Sequence, residues 1–357
     1  MLQEIKTDQC PRLQWETLFV FLIFVLVGAA RGEACSAVAS GERQGLLGAN
    51  YDWRARGGIV FESPRGQIKT AISPNTDQET MIWTSRLASL TISQFGRDFP
   101  MQGMNEAGLS GLVLMSQAAY PQSGALGVVT ENLWLQYQLD QYETVSEVVA
   151  HVADLGIEKL SATLHWFFCD RSSACASIDF IDGAASIHTG SSLDLRALTN
   201  SPYAAARLGY DEWALRQTQA PRGYDSIARF IRLAAISGQS GFGDERSSMT
   251  AALDQVSRAG FTAWQTVFDL AKRQFHIKLH TAASAKQHWQ TFNVASGIGA
   301  CGPGLRMLVL GRDQSWKPYE HAEVASMFAD AAHGAEGLGA VVREKVLRQS
   351  ESVNCQP

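Results

Sequence analysis

The chain has 357 residues, 46% of them hydrophobic and 18% charged, a balance that excludes a disordered polymer and supplies apolar material for a large core. Thirty basic against thirty-five acidic side chains give a formal net charge of -5, so no positive excess is available to follow a phosphate backbone, and nucleic acid is not an expected partner. No heptad run and no repeat at a period of about 20 to 50 residues is present, which removes fibrous and solenoid architectures.

The first feature along the chain is the apolar run Leu18 to Ala30, followed by Arg31, Gly32, Glu33, Ala34 and Cys35. It is too short to span a bilayer, which takes roughly 20 residues, but it fits the hydrophobic region of a signal peptide. Gly32 and Ala34 put small side chains third-last and last before a cut, leaving Cys35 as the new N-terminus. Lys6 and Arg12 are outnumbered by Glu4, Asp8 and Glu16, a poor charge pattern for a leader that a misassigned start codon would explain. The expectation is a leader over 1–34, removed on maturation, and a single domain over 35–357. Such a protein is periplasmic or secreted and keeps no stable membrane anchor after maturation.

Strand-like patterns open the expected domain at Ser36 to Ser40, Gly45 to Tyr51, Ile59 to Glu62, Met81 to Thr84 and Ser89 to Gln94. Helical spacing takes over at Glu131 to Tyr142 and again after Thr144, where Thr144 and Glu147 spell a capping box ahead of Val145, Val148, Val149 and Val152. Two further strand-like runs, Leu164 to Phe168 and Ala176 to Ile181, flank Asp170 to Ala174, and Asp182-Gly183 marks a turn before Ala184 to His188. Asp225 or Ser226 then caps a helix through Ile227, Phe230, Ile231, Ala234 and Ala235. Strands return at Thr262 to Phe268, Arg273 to Leu279 and Arg306 to Leu310. This order predicts a layered α+β fold, sheets covered by helices, over a doubly wound parallel sheet.

Six cysteines are present, and Cys10 leaves with the leader. Five remain, an odd number that implies two disulfides and one thiol in an oxidising compartment. A hairpin brings Cys169 and Cys175 face to face; Cys301 and Cys355 then pair by elimination, two buried thiols being the alternative. No CxxC occurs, so structural zinc and thioredoxin-like chemistry are poorly supported.

Two common motifs fail on context. Gly297 to Gly302 spells GxGxxG, but Pro303 and Gly304 follow and the next run is strand-like, so the segment is a loop and not a dinucleotide fingerprint. His276 and His280 stand at helical metal spacing, yet Phe275 to His280 alternates with period two, which makes them a polar strand face. No HExxH, GxSxG or phosphate-binding loop pattern is found. Neither a cofactor nor a metal is expected.

What remains is the cysteine left at the cut. An N-terminal cysteine carries a nucleophile and a base in one residue, because an α-amino group titrates near 7.7 to 8.0 and a thiol near 8.5. The amine, directly or through a water, accepts the thiol proton, and the thiolate attacks a carbonyl to give an acyl-enzyme. A lipidated cysteine is the alternative, but Gly32 stands where a lipobox has leucine and Glu33 is too large for its position.

Five segments recur in the order of a known family: Cys35-Ser36, Gly48 to Trp53, Gly103 to Leu109, Leu198 to Pro202 and Ser226 to Phe230. Leu133 to Asp140 and His165 to Gly183 add to them. In these segments the chain resembles the choloylglycine hydrolase family, linear-amide C-N hydrolases that include penicillin V acylases and conjugated bile salt hydrolases. The resemblance runs from Cys35 to about Leu279. It implies a four-layer αββα N-terminal-nucleophile (Ntn) hydrolase fold, two stacked antiparallel sheets between helix layers.

The resemblance also implies roles. Cys35 corresponds to the nucleophile, and Asp52 to the carboxylate that orients its α-amino group. Asn200 corresponds to the amide that donates to the developing oxyanion, where a turn asparagine is the competing reading. Arg229 corresponds to the arginine that favours thiolate, selected over Arg232 by the Ala-Arg-Phe pattern. Two positions depart from the family: Ala49 stands where many relatives have arginine, and Met115 where bile salt hydrolases place an oxyanion-pocket asparagine or tyrosine. The expected substrate is a small-molecule N-acyl amide whose hydrophobic acyl group lies near Tyr51, Trp53 and Met115. The alternatives are an acylase for penicillin V, acyl-homoserine lactones or bile salts, and a non-catalytic secreted binding protein that keeps the fold. Homo-oligomerisation stays open.

Overall fold

Along Leu46–Asp52 successive side chains point to opposite faces of a sheet, and both faces are buried. Asn50 faces a helix and donates from Nδ2 to the Leu253 carbonyl at 2.9 Å, whereas Tyr51 turns the other way and reaches Gln94, just past the strand Ser89–Ser93 of a second sheet, at 3.4 Å. This strand thus lies between a helix layer and another sheet. The computed structural model describes residues 35–41, 45–73, 81–239, 242–243, 245–280, 288–302, 304–333, 340–351 and 353–356. The expected leader over 1–34, Cys10 included, lies outside the described residues.

Six strands make the first sheet, in spatial order Ala197–Leu198, Ser36–Ala39, Leu46–Asp52, Thr262–Asp269, Gln274–Leu279 and Gln290–Asn293, all antiparallel. Nine make the second: Ala184–Thr189, Cys175–Ile181, Leu164–Cys169, Ser110–Met115, Gln102–Asn105, Ser89–Ser93, Ile59–Ser63, Arg306–Val309 and Lys317–Pro318. These too pair antiparallel. The sheets stack on each other through Tyr51, Trp264 and Gln102: the Tyr51 and Trp264 rings lie 4.0 Å apart, and Trp264 Nε1 donates to Gln102 Oε1 at 3.3 Å. Helices Ser226–Ser237 and Arg246–Val256 cover the outer face of the first sheet, and Glu131–Gln141 covers that of the second. This is the expected α+β fold of stacked antiparallel sheets between helices.

Glycine decides how closely the helices sit. A Cβ on Gly48 would lie 2.5 Å from Met249 Sδ, and one on Gly111 would lie 2.5 Å from a Phe168 ring carbon and 2.6 Å from Leu135 Cδ1. Such close approach explains why Gln102–Asn105 and Ser110–Met115, rich in glycine and polar residues, are strands that propensity does not announce. The helix Tyr203–Arg216 also escapes the apolar pattern, since only Tyr203 and Ala206 are buried along it. Asp225, not Ser226, caps Ser226–Ser237, its carboxylate accepting from the Ala228 amide at 2.9 Å. Thr144 and Glu147 form the expected capping box, and Asp182 and Gly183 both have positive φ, as a tight hairpin turn requires. Gly297 to Gly302 is a loop, and His276 sits on a strand with Nδ1 against Thr291 Oγ1 at 2.8 Å. Cys169 lies directly opposite Cys175 and is bonded to it, and Cys301 is bonded to Cys355.

Beneath the second sheet a buried ionic network ties distant segments together. Lys69 Nζ lies 3.0 Å from both Asp98 and Asp140 and donates to Ser63 Oγ at 2.7 Å; Trp83 Nε1 donates to Asp140 at 2.8 Å, and Arg97 pairs with Asp98 at 3.0 Å. Removing one partner of such a cluster leaves charge buried without compensation, so Lys69→Met is expected to destabilise the fold by about 3–5 kcal/mol. Chemical denaturation of the two proteins measures this, and a difference within about 0.5 kcal/mol would contradict it.

Candidate active site

Ser36–Ala39 pairs antiparallel with Leu46–Asp52, and Ser36 stands opposite Asn50. Cys35 leads into that strand directly before Ser36, and Asp52 stands two residues beyond Asn50 at the end of its own strand. Cys35 is buried and belongs to no disulfide.

Asp52 is fully buried. Burial raises its pKa from 3.8 to about 7, and the Thr262 hydroxyl and the charges of Arg229 and Arg258 draw it back only in part. Thr262 is placed there by register, since it stands opposite Asp52 on the neighbouring strand. The carboxylate thus lies buried against Arg229, the same side chain that binds the Cys35 carbonyl.

Arg229, on the helix Ser226–Ser237, joins the other groups. Its Nη1 donates to the Cys35 carbonyl at 2.5 Å and to Ser36 Oγ at 2.6 Å, its Nη2 to Asn200 Oδ1 at 2.8 Å, and its Nε to the Tyr224 carbonyl at 3.0 Å. Burial lowers its pKa to about 10, against the opposing pull of Asp52 and Cys35, so it stays charged at neutral pH. Arg232, one turn on, points away: Nη1 donates to the carbonyls of Pro221 and Gly223, and its guanidinium lies over the Tyr224 ring.

Asn200 follows the short strand Ala197–Leu198 and is half-buried. With its oxygen held by Arg229, its Nδ2 is directed to the Met115 carbonyl at 2.8 Å. One N–H is used there, and the amide carries a second. The segment is both a turn and a site, because Thr199 Oγ1 donates to the Ser226 carbonyl and Ser201 Oγ to Ser226 Oγ.

Cys35, Asp52, Asn200 and Arg229 thus meet in one place, and Met115 joins them through its backbone. Trp53 is half-buried, its ring 6.2 Å from Tyr51 and its Nε1 donating to the Ala331 carbonyl at 2.9 Å. Tyr51, only 3% exposed, is a core side chain between Trp53 and Trp264. Ala49 is buried in mid-strand, paired with Ala37 and Thr266. Sequence reasoning missed Ser36, Thr262, Arg258 and the Tyr224 carbonyl. Their only signal is cross-strand register or loop geometry, neither of which a linear reading supplies. Among the described residues no group of three or more His, Cys, Asp or Glu side chains is arranged for a metal ion.

Residues 42–235 match the profile of the linear amide C-N hydrolases, choloylglycine hydrolase family; that stretch holds Asp52, Asn200 and Arg229 and begins after Cys35. A penicillin V acylase of Pectobacterium atrosepticum is 31% identical over an alignment of 147 residues that covers 36% of this chain and 39% of that protein. Among solved structures, penicillin V acylase from Agrobacterium tumefaciens superposes with a TM-score of 0.63 at 22% identity, covering 80% of this chain and 98% of that one. A variant of conjugated bile acid hydrolase from Clostridium perfringens gives 0.63 at 16%, covering 80% and 99%. At these identities the likeness to the solved structures is one of fold.

The Asp52 environment has a measurable consequence while residues 1–34 are still attached. Unfolded, Asp52 releases its proton near pH 4; folded, it keeps it to about pH 7. The folded state binds the extra proton between those values, so the contribution favours folding at low pH and is lost as pH rises through about 7. Between pH 4 and pH 8 the uncleaved chain is expected to lose up to about 4 kcal/mol more stability than its Asp52→Asn variant. Denaturation at a series of pH values measures it, and parallel profiles would show that Asp52 is not held in this state.

Proposed function

The chain belongs to the choloylglycine hydrolase family of linear amide C-N hydrolases, and on that premise we propose that it is an exported cysteine amidase cleaving small N-acyl amides through a thioester. The observation that carries the reading is Arg229, whose guanidinium binds the Cys35 carbonyl and the Asn200 amide at once and whose charge also faces Asp52.

Removal of residues 1–34 frees the Cys35 α-amino group beside Asp52. The ammonium satisfies that carboxylate and loses a proton to become the base. It then takes the thiol proton, and the sulfur attacks the amide carbonyl. Negative charge moves onto the carbonyl oxygen, where the second N–H of Asn200 is a fixed, uncharged donor. The C–N bond breaks as the nitrogen takes the proton held by the α-amine, and the amine departs. Water, deprotonated by the same amine, attacks the thioester and releases the acid. No cofactor takes part in any step. The apolar run Leu18 to Ala30 and the two disulfides support export to the periplasm or beyond. Ala49 and Met115 favour an acyl amide other than the bile salts, because both remove polar groups that the resemblance implies for that pocket.

Asn200→Ala separates chemistry from folding. A donor that acts only as charge develops is worth roughly 2.7–4 kcal/mol of barrier, so acylation is expected to slow by about 100- to 1,000-fold while the melting temperature moves little. Penicillin V and a panel of fatty and aryl N-acyl amides are the substrates to test. Normal turnover per folded molecule with a lowered melting temperature would make Asn200 a turn residue and overturn the assignment.

A further inference from the structure

We propose that His165, with Asp179, is the positioning residue that holds the Asn200 amide in place for catalysis. The inference rests on the oxyanion reading of Asn200 and extends it to two residues that the mechanism does not otherwise use.

His165 lies on Leu164–Cys169 and Asp179 on Cys175–Ile181, and both are buried, His165 completely. Trp166 pairs with Ile178, so His165 and Asp179 stand directly opposite each other on one sheet face. Nδ1 of His165 is 2.7 Å from Asp179 Oδ1, and Nε2 is 2.7 Å from the Thr199 carbonyl oxygen. That carbonyl belongs to the peptide bond leading into Asn200. The other oxygen of Asp179 accepts from the Tyr203 amide at 3.2 Å, three residues beyond Asn200. One His–Asp pair therefore grips the 199–203 segment on both sides of the donor.

Both ring nitrogens face oxygen acceptors, and a neutral imidazole has only one N–H. Satisfying both takes two protons shared between ring and carboxyl, and a buried lone pair against the Thr199 carbonyl would otherwise oppose the arrangement. The neighbouring register step sets Leu164 against Met115, whose carbonyl takes the other Asn200 hydrogen bond. Asn200 is thus fixed to the nine-stranded sheet at two adjacent points, while Arg229 holds it from the helix over the other sheet.

The test is a double-mutant cycle on the matured protein, read as the rate of thiol acylation by 4-nitrophenyl acetate. His165→Ala is expected to slow acylation by about 10- to 100-fold, the cost of a misplaced group, with the half-saturating ester concentration unchanged. In an Asn200→Ala background the same change is expected to have no further effect beyond about twofold, because His165 acts through that side chain. Losses that multiply would show that His165 only supports the fold and would overturn the proposal. His165→Gln keeps a donor and is expected to recover part of the rate, which covers the case in which the alanine variant does not fold. An Asn200→Ala protein with normal acylation would instead sink the functional reading. In that event the amide resonances of Asn200 decide the positioning claim alone: they shift in His165→Gln if the claim holds, and their persistence unchanged refutes it.

Discussion

The site depends on a single buried cation. Arg229 spends its donors on the Cys35 carbonyl, Ser36, Asn200 and Tyr224, and so joins the first strand of the domain to a turn 165 residues away. A guanidinium suits the task because its donors are fixed in one plane and its charge persists when burial lowers its pKa. The same charge faces Asp52 and the thiol, so the group that sets the geometry also sets the electrostatics.

The two sheets give that cation something rigid to join. Asp52 and Ser36 face the helix layer, whereas Tyr51 and Trp264 stack into the other sheet, so three adjacent strands serve both layers. The segment from Ala197 to Asn200 crosses between them: its backbone extends the first sheet beside Ser36–Ala39, and its last residues bond to Met115 and His165 of the second. A catalytic amide placed at such a crossing is held from two independent directions, which is what preorganisation at an oxyanion site demands.

Much of the fold was legible in local chemistry. The aromatic runs flanking Asp170 to Ala174 announced a hairpin that aligns Cys169 with Cys175, and Thr144 with Glu147 announced a helix start. The helix Glu131–Gln141 was read from its helical spacing, although ten of its residues are buried and it carries no polar face. Strands built around Gly103 and Gly111 were hidden, because glycine there answers a neighbouring helix and not the strand itself. Of the site, an N-terminal cysteine suggested its own chemistry, but Asp52, Asn200 and Arg229 stood out only through family resemblance. Their convergence is a matter of register and helix docking. The His165–Asp179 pair lies in a stretch that resembles the family, but nothing linear joined the two residues, because they meet only when their strands pair.

Intact-mass analysis of protein mixed with an N-acyl amide and quenched in acid within milliseconds tests the central claim most directly. The account predicts a chain beginning at Cys35 that gains the mass of the acyl group on that residue, with the adduct lost on further incubation and absent from Cys35→Ala. Turnover by a chain that retains residues 1–34, or an acyl adduct on any other residue, would contradict it.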